Sequence, residues 1–67
     1  MLRLFPTTIY SDAGEAVGTA LVVERLLDAH GNLYYRLEDG RIGKVVQSGH
    51  GCTIVEPSQV SGLRPTI

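Results

Sequence analysis

At sixty-seven residues the chain is one domain, residues 1–67, too short for more than a marginal core, and its single cysteine, Cys52, rules out an internal disulfide and suits a reducing compartment. Nothing approaches the ~20 apolar residues of a membrane span, and Met1 to Thr8 hold no apolar run of signal-peptide length, so a cytoplasmic protein is expected. The formal net charge is −1, with Lys44 the only lysine and the arginines scattered, which argues against a strong phosphate binder.

Arg3 to Tyr10 reads as a first strand, with β-branched Thr7, Thr8 and Ile9 and with Pro6 marking an edge or a bend. Ser11 to Glu15 is a loop by composition. The segment from Ala16 to Asp28 supports two readings. A helix over about 13–29 is suggested by Asp12 and Glu15 at capping-box spacing and by Gly31 at its end. A strand, Val17 to Leu27, is suggested by its central β-branched residues. In a helix Glu24 would fall among Ala13, Ala16, Val17 and Ala20, and Gly14 and Gly18 would each cost about 1 kcal/mol relative to Ala. The strand is preferred; the helical alternative gives an α+β fold with one helix across a four-stranded sheet.

Ala29 to Asn32 is a turn. Leu33 to Glu38 alternates, with Leu33, Tyr35 and Leu37 on one face and Tyr34, Arg36 and Glu38 on the other. Asp39-Gly40 then predicts a tight primed hairpin turn leading into a partner strand, Arg41 to Gln47. Ser48 to Gly51 is a glycine-rich turn, Cys52 to Glu56 a short strand, and Pro57 to Gly62 one turn of 3-10 helix. Leu63 to Ile67 is a terminal strand or a tail. Five short strands with a turn about every ten residues predict an all-β small barrel with a 3-10 turn near 57–61.

From Val17 to about Leu63 this pattern resembles the SH3-like small β-barrels. A long strand leads to Leu33-Tyr34-Tyr35-Arg36-Leu37-Glu38-Asp39-Gly40-Arg41, then a short strand, Glu56-Pro57 and a helical turn. The Leu-Glu-Asp-Gly-Arg run after a Tyr-bearing strand is similar to bacterial and chromatin-type members. The resemblance implies a fold and carries no function by itself.

No catalytic, cofactor-binding or metal residues are assigned. His50, Cys52 and His30 lack the paired spacing of a zinc site, and a Cys52 nucleophile would need a positioned base and an oxyanion site. Ser48-Gly49-His50-Gly51 lacks the following helix of a phosphate loop. The doublets Val22-Val23, Leu26-Leu27, Tyr34-Tyr35 and Val45-Val46 put apolar groups on both strand faces. A second apolar face needs cover from a bulge-shifted register, a terminal segment or another subunit. About 400 Å² of such cover contributes on the order of 10 kcal/mol gross, so a homo-oligomer, most simply a two-fold dimer, is expected.

Three functions follow as expectations. The first is a non-catalytic interaction module that acts as a homo-oligomer and binds a protein partner through a strand face or edge, with Tyr34, Arg36 and Glu38 as contacts. The second is nucleic-acid binding, as in the KOW- and Tudor-like barrels the pattern resembles, through a stripe of Arg25, Arg36, Arg41 and Lys44. The third is a small enzyme whose site forms by oligomerisation, as in plasmid-type dihydrofolate reductases. Their Val-Gln-Ile-Tyr motif is unmatched, since Thr53-Ile54-Val55-Glu56 stands before Pro57.

Overall fold

The ambiguous segment is a strand. In the computed structural model, which describes residues 4–46 and 51–66, Ala16–Leu27 forms one continuous strand, β2. Around it stand β1 (Phe5–Tyr10), β3 (Leu33–Leu37), β4 (Ile42–Val45), β5 (Gly51–Val55), a 3-10 turn (Pro57–Gln59) and β6 (Arg64–Pro65). A helix over 13–29 would have buried Glu24 in its apolar arc; on the strand Glu24 sits across from Arg36 and pairs with it.

Strands β1 to β5 form an antiparallel meander, and β1 closes it by pairing with β5 in parallel. Parity requires this: successive strands reverse direction, so the first and fifth run the same way and can only meet in parallel. The product is a closed five-stranded barrel. Closure leaves few open edges, which suits a small all-β protein.

One loop design joins three of the hairpins. Ser11, Asp28 and Leu37 each donate N–H to the carbonyl four residues on, and each accepts at its own carbonyl from a glycine three residues on. Those glycines, Gly14, Gly31 and Gly40, have φ of 86°, 84° and 91°. A three-residue loop of this kind ends on a left-handed residue, which glycine adopts without a Cβ penalty. The primed two-residue turn expected at Asp39-Gly40 is therefore corrected. Among the described residues only glycines have positive φ, and a primed turn would have required it of Asp39 as well. Instead Asp39 caps the loop by accepting the Arg41 N–H, 3.0 Å away.

Pro6 lies inside β1, opposite Leu21. It removes no ladder bond. The Leu21 carbonyl accepts from Glu38 N–H at 3.0 Å, so the backbone of this pair points away from the β1–β2 seam. On its other side β1 meets β5 only from Thr8 to Tyr10.

The barrel interior holds Ile9, Val22, Tyr35, Leu37 and Cys52, with Phe5, Ala20, Leu33, Val45 and Ile54 packed around them. Phe5 meets Tyr35 edge-on, ring centroids 5.3 Å apart. Gly43 faces the crowded interior, where a Cβ would run into Cys52 Sγ, and Gly51 faces the other side of β5, where a Cβ would meet the Tyr10 ring and lie 2.5 Å from the Thr8 carbonyl oxygen.

A second apolar cluster lies on the other strand face. Leu26, Tyr34 and Ile42 are buried there, packed with Val55, Val60 and Leu63. The chain after β5 makes this cover. It turns through Pro57–Gln59, where Gln59 N–H donates to the Glu56 carbonyl at 2.9 Å, and it ends by pairing Pro65 and Arg64 with Leu26 and Leu27. Of the Tyr doublet, Tyr35 fills the barrel and Tyr34 is held under this strap. Leu26 sits under the strap while Leu27 remains partly exposed. A register shift between Val22 and Glu24 takes up Val23.

Two of the three expected kinds of cover are thus present, a bulge and a terminal segment. The doublets require no second copy, which removes the ground on which a homo-oligomer was expected. No helix among the described residues is long and apolar enough to cross a membrane.

Candidate functional site

β2 lives in two environments. From Val22 to Leu27 it is a barrel wall between β3 and, at its end, β6. From Ala16 to Leu21 it pairs with β1, and among the described residues no strand pairs with its other edge. Every residue from Asp12 to Thr19 is exposed. The β1–β2 hairpin therefore extends past the barrel as a two-stranded arm.

Local chemistry fixes this arm firmly at its tip. Ser11 Oγ accepts from Ala13 N–H at 3.2 Å and from Glu15 N–H at 3.3 Å, and Ser11 N–H donates to the Glu15 carbonyl at 2.8 Å. The register between β1 and β2 is unbroken from Gly18 to Val22. Since backbone groups of alternate residues point the same way, Thr19 directs its N–H and C=O as Leu21 does, away from β1 and into the open edge. The register shift at Ile9/Tyr10 leaves Val17 without a cross-strand partner, and Val17 is 64% exposed.

No charged residue occurs from Ala16 to Val23. Proteins commonly guard such an edge with Lys, Pro or inward-pointing charge. The charges stand at its two ends instead. Glu15 closes the tip, and Glu38, bonded through its N–H to Leu21, marks the barrel end. Both are exposed, and neither is in an ion pair among the described residues.

The residues expected to form a partner-binding face are separated by the strap. Tyr34 has the expected parity but is only 5% exposed. Its hydroxyl donates to Asp28 Oδ2 at 3.2 Å, and burial followed by that carboxylate pushes its pKa up. The expectation that Tyr34 is a surface contact is corrected: alternation assigns a face, and the chain that covers the face, at Val60 and Leu63, lies far downstream. Arg36 and Glu38 are exposed; Arg36 Nε donates to Glu24 Oε1 at 2.9 Å.

The four cations of the expected stripe do not stand free together. Arg36 and Arg41 are engaged by Glu24 and Asp39. Arg25 lies across from Tyr35 and places its guanidinium 4.6 Å from the Phe5 ring centroid. Lys44 lies across from Tyr34, one pair along the ladder and on the opposite face.

Asp28 is the most perturbed carboxyl described, lowered to about 2. Its causes, in order, begin with the Asn32 side-chain amide and the Asn32 N–H; the His30 N–H and the Tyr34 hydroxyl add to them. The cluster shapes the β2–β3 loop and holds no reacting geometry. Asp39 is lowered chiefly by the Arg41 N–H. Cys52 is fully buried, and burial raises its thiol pKa, which suppresses the thiolate a nucleophile needs. His50 and the Ser48-Gly49 step lie outside the described residues. Among the described residues no three His, Cys, Asp or Glu side chains converge on a metal position.

The expectations named a strand face or edge without placing an open edge on Ala16 to Leu21. Its signal is present in the chain as eight uncharged residues, Ala16 to Val23, longer than the barrel wall needs.

Comparison with protein-family models, with curated proteins and with solved structures returned no match.

Proposed function

We propose that this protein is a non-catalytic interaction module that binds a protein partner through a strand, with the open edge of β2 as the binding element. One observation carries the reading: an exposed, uncharged strand edge on which Thr19 offers an unpaired donor and acceptor. An extended segment added to such an edge gains main-chain hydrogen bonds, and neighbouring side chains supply selectivity. Arg36 and Glu38 flank the base of the arm and extend the contact surface. The reading of the barrel as SH3-like is supported by the long second strand, the Asp-Gly hairpin and the 3-10 turn before the last short strand. A cytoplasmic setting is supported by the single, buried thiol.

Selection of random dodecapeptides displayed on phage against the immobilised protein tests this. Thr19→Pro is the control, because its nitrogen faces the open edge and the change removes no ladder bond. Enriched peptides should bind the wild type and lose Thr19→Pro, while thermal unfolding shows that the variant is folded. Absence of enrichment, or peptides that bind folded Thr19→Pro equally well, would overturn the reading.

A further inference from the structure

We infer that the occupant of the β2 edge is an extended segment of a partner protein with small or β-branched residues at its centre and Lys or Arg at both ends. The inference rests on the reading of the edge as the binding element and adds the chemistry of what it takes.

Two observations set that chemistry. The central stretch, Ala16 to Leu21, is small or apolar apart from Thr19, and a Cβ added at Gly18 would meet nothing within 4 Å, so the face beside the open edge is clear for the side chains of a neighbouring strand. The ends are acidic. Glu15 stands beside the tip and Glu38 beside Leu21, and both lack an ion partner among the described residues. A strand laid antiparallel along this edge bonds to Thr19 through its middle and brings its two termini toward the two carboxylates. Cations there are attracted, and further acids are repelled.

The same charges disfavour a second copy. An antiparallel self-pairing about Gly18 sets the Glu15 of each chain opposite Leu21 of the other, hence beside Glu38. Two such like-charge encounters would form, one at each end. The nearest cation to this edge on the same strand, Arg25, is engaged over the Phe5 ring.

The experiment uses the full chain, labelled with ¹⁵N, and two capped heptapeptides of alternating threonine and valine, one flanked by lysines and the other by glutamates. The lysine-flanked peptide should bind about tenfold tighter in low salt, and the ratio should fall toward one in 0.5 M salt and in the Glu15→Gln/Glu38→Gln double variant. Binding should protect the Thr19 amide from exchange. Equal affinities with Thr19 protected would overturn the charge assignment and leave the edge reading standing. Binding without Thr19 protection would overturn both. Protection of Thr19 that grows with protein concentration in the absence of peptide would show a second copy on the edge and overturn the inference.

Discussion

The two halves of β2 share a strand and carry aliphatic residues alike, yet one is a wall and the other an arm. Val22 and Leu26 are each 1% exposed, whereas Val17 is 64% exposed. Residue type does not separate Val17 from Val22. Position does: pairing with β3 runs along β2 only from Val22 to Leu27, and the strap ends opposite Leu26 and Leu27, so burial begins where neighbours arrive. Hydrophobic residues in a strand thus report capacity for burial, and topology decides which are spent on the core and which stay exposed.

The sharpest way to break this comparison is to truncate both halves. Leu37→Ala in the barrel and Leu26→Ala under the strap should each cost about 2–5 kcal/mol, as buried Leu truncations do, while Val17→Ala should stay within about 0.5 kcal/mol. Chemical denaturation of the three variants checks this. A loss at Val17 comparable to that at Leu26 would show the arm to be part of the core. Gly51→Ala comes next. Its Cβ is forced against Thr8 and Tyr10 at the β1–β5 seam, and overpacking of this kind costs about 1–3 kcal/mol. Gly18→Ala, on the arm, meets open space and should not destabilise.

A third prediction concerns pH. Asp28 has its folded pKa lowered from 3.8 to about 2. Its carboxylate bonds therefore contribute in full above the unfolded value, and the contribution is lost as pH falls from about 4 through about 2. Asp28→Asn should lower the melting temperature at neutral pH and flatten its decline across that window; an unchanged acid limb would show the loop to be held by other bonds. The smallest effect is expected at Arg36→Ala. It breaks an exposed ion pair with Glu24 and should shift stability by no more than about 0.5 kcal/mol.

Much of the barrel was legible in the chain because its signals are local. Alternation over Leu33–Leu37 sets Tyr35 and Leu37 inward, Asp39-Gly40 marks the hairpin, and Pro57–Gln59 marks the 3-10 turn. The choice of strand over helix for Ala16–Leu27 was also readable, from β-branching and the place of Glu24. What was not legible depends on long-range contacts. Tyr34 carries the alternation of a surface residue and is buried only because Val60 and Leu63 return over it. The apolar doublets state that a second face needs cover but do not say who supplies it. The open edge leaves only the uncharged run Ala16 to Val23 as its trace, since nothing in Thr19 itself reveals that β3 stops short of it.

The seam between β1 and β5 has a further consequence, for the order of assembly. Thr8 meets Gly51 and Tyr10 meets Thr53, contacts separated by about forty positions. Neighbouring hairpins form with short loops, but this last pairing closes the longest loop and waits on the others. Until the fifth strand is in place the first has only its hairpin partner to hold it, and the interior stays open to water and to other chains.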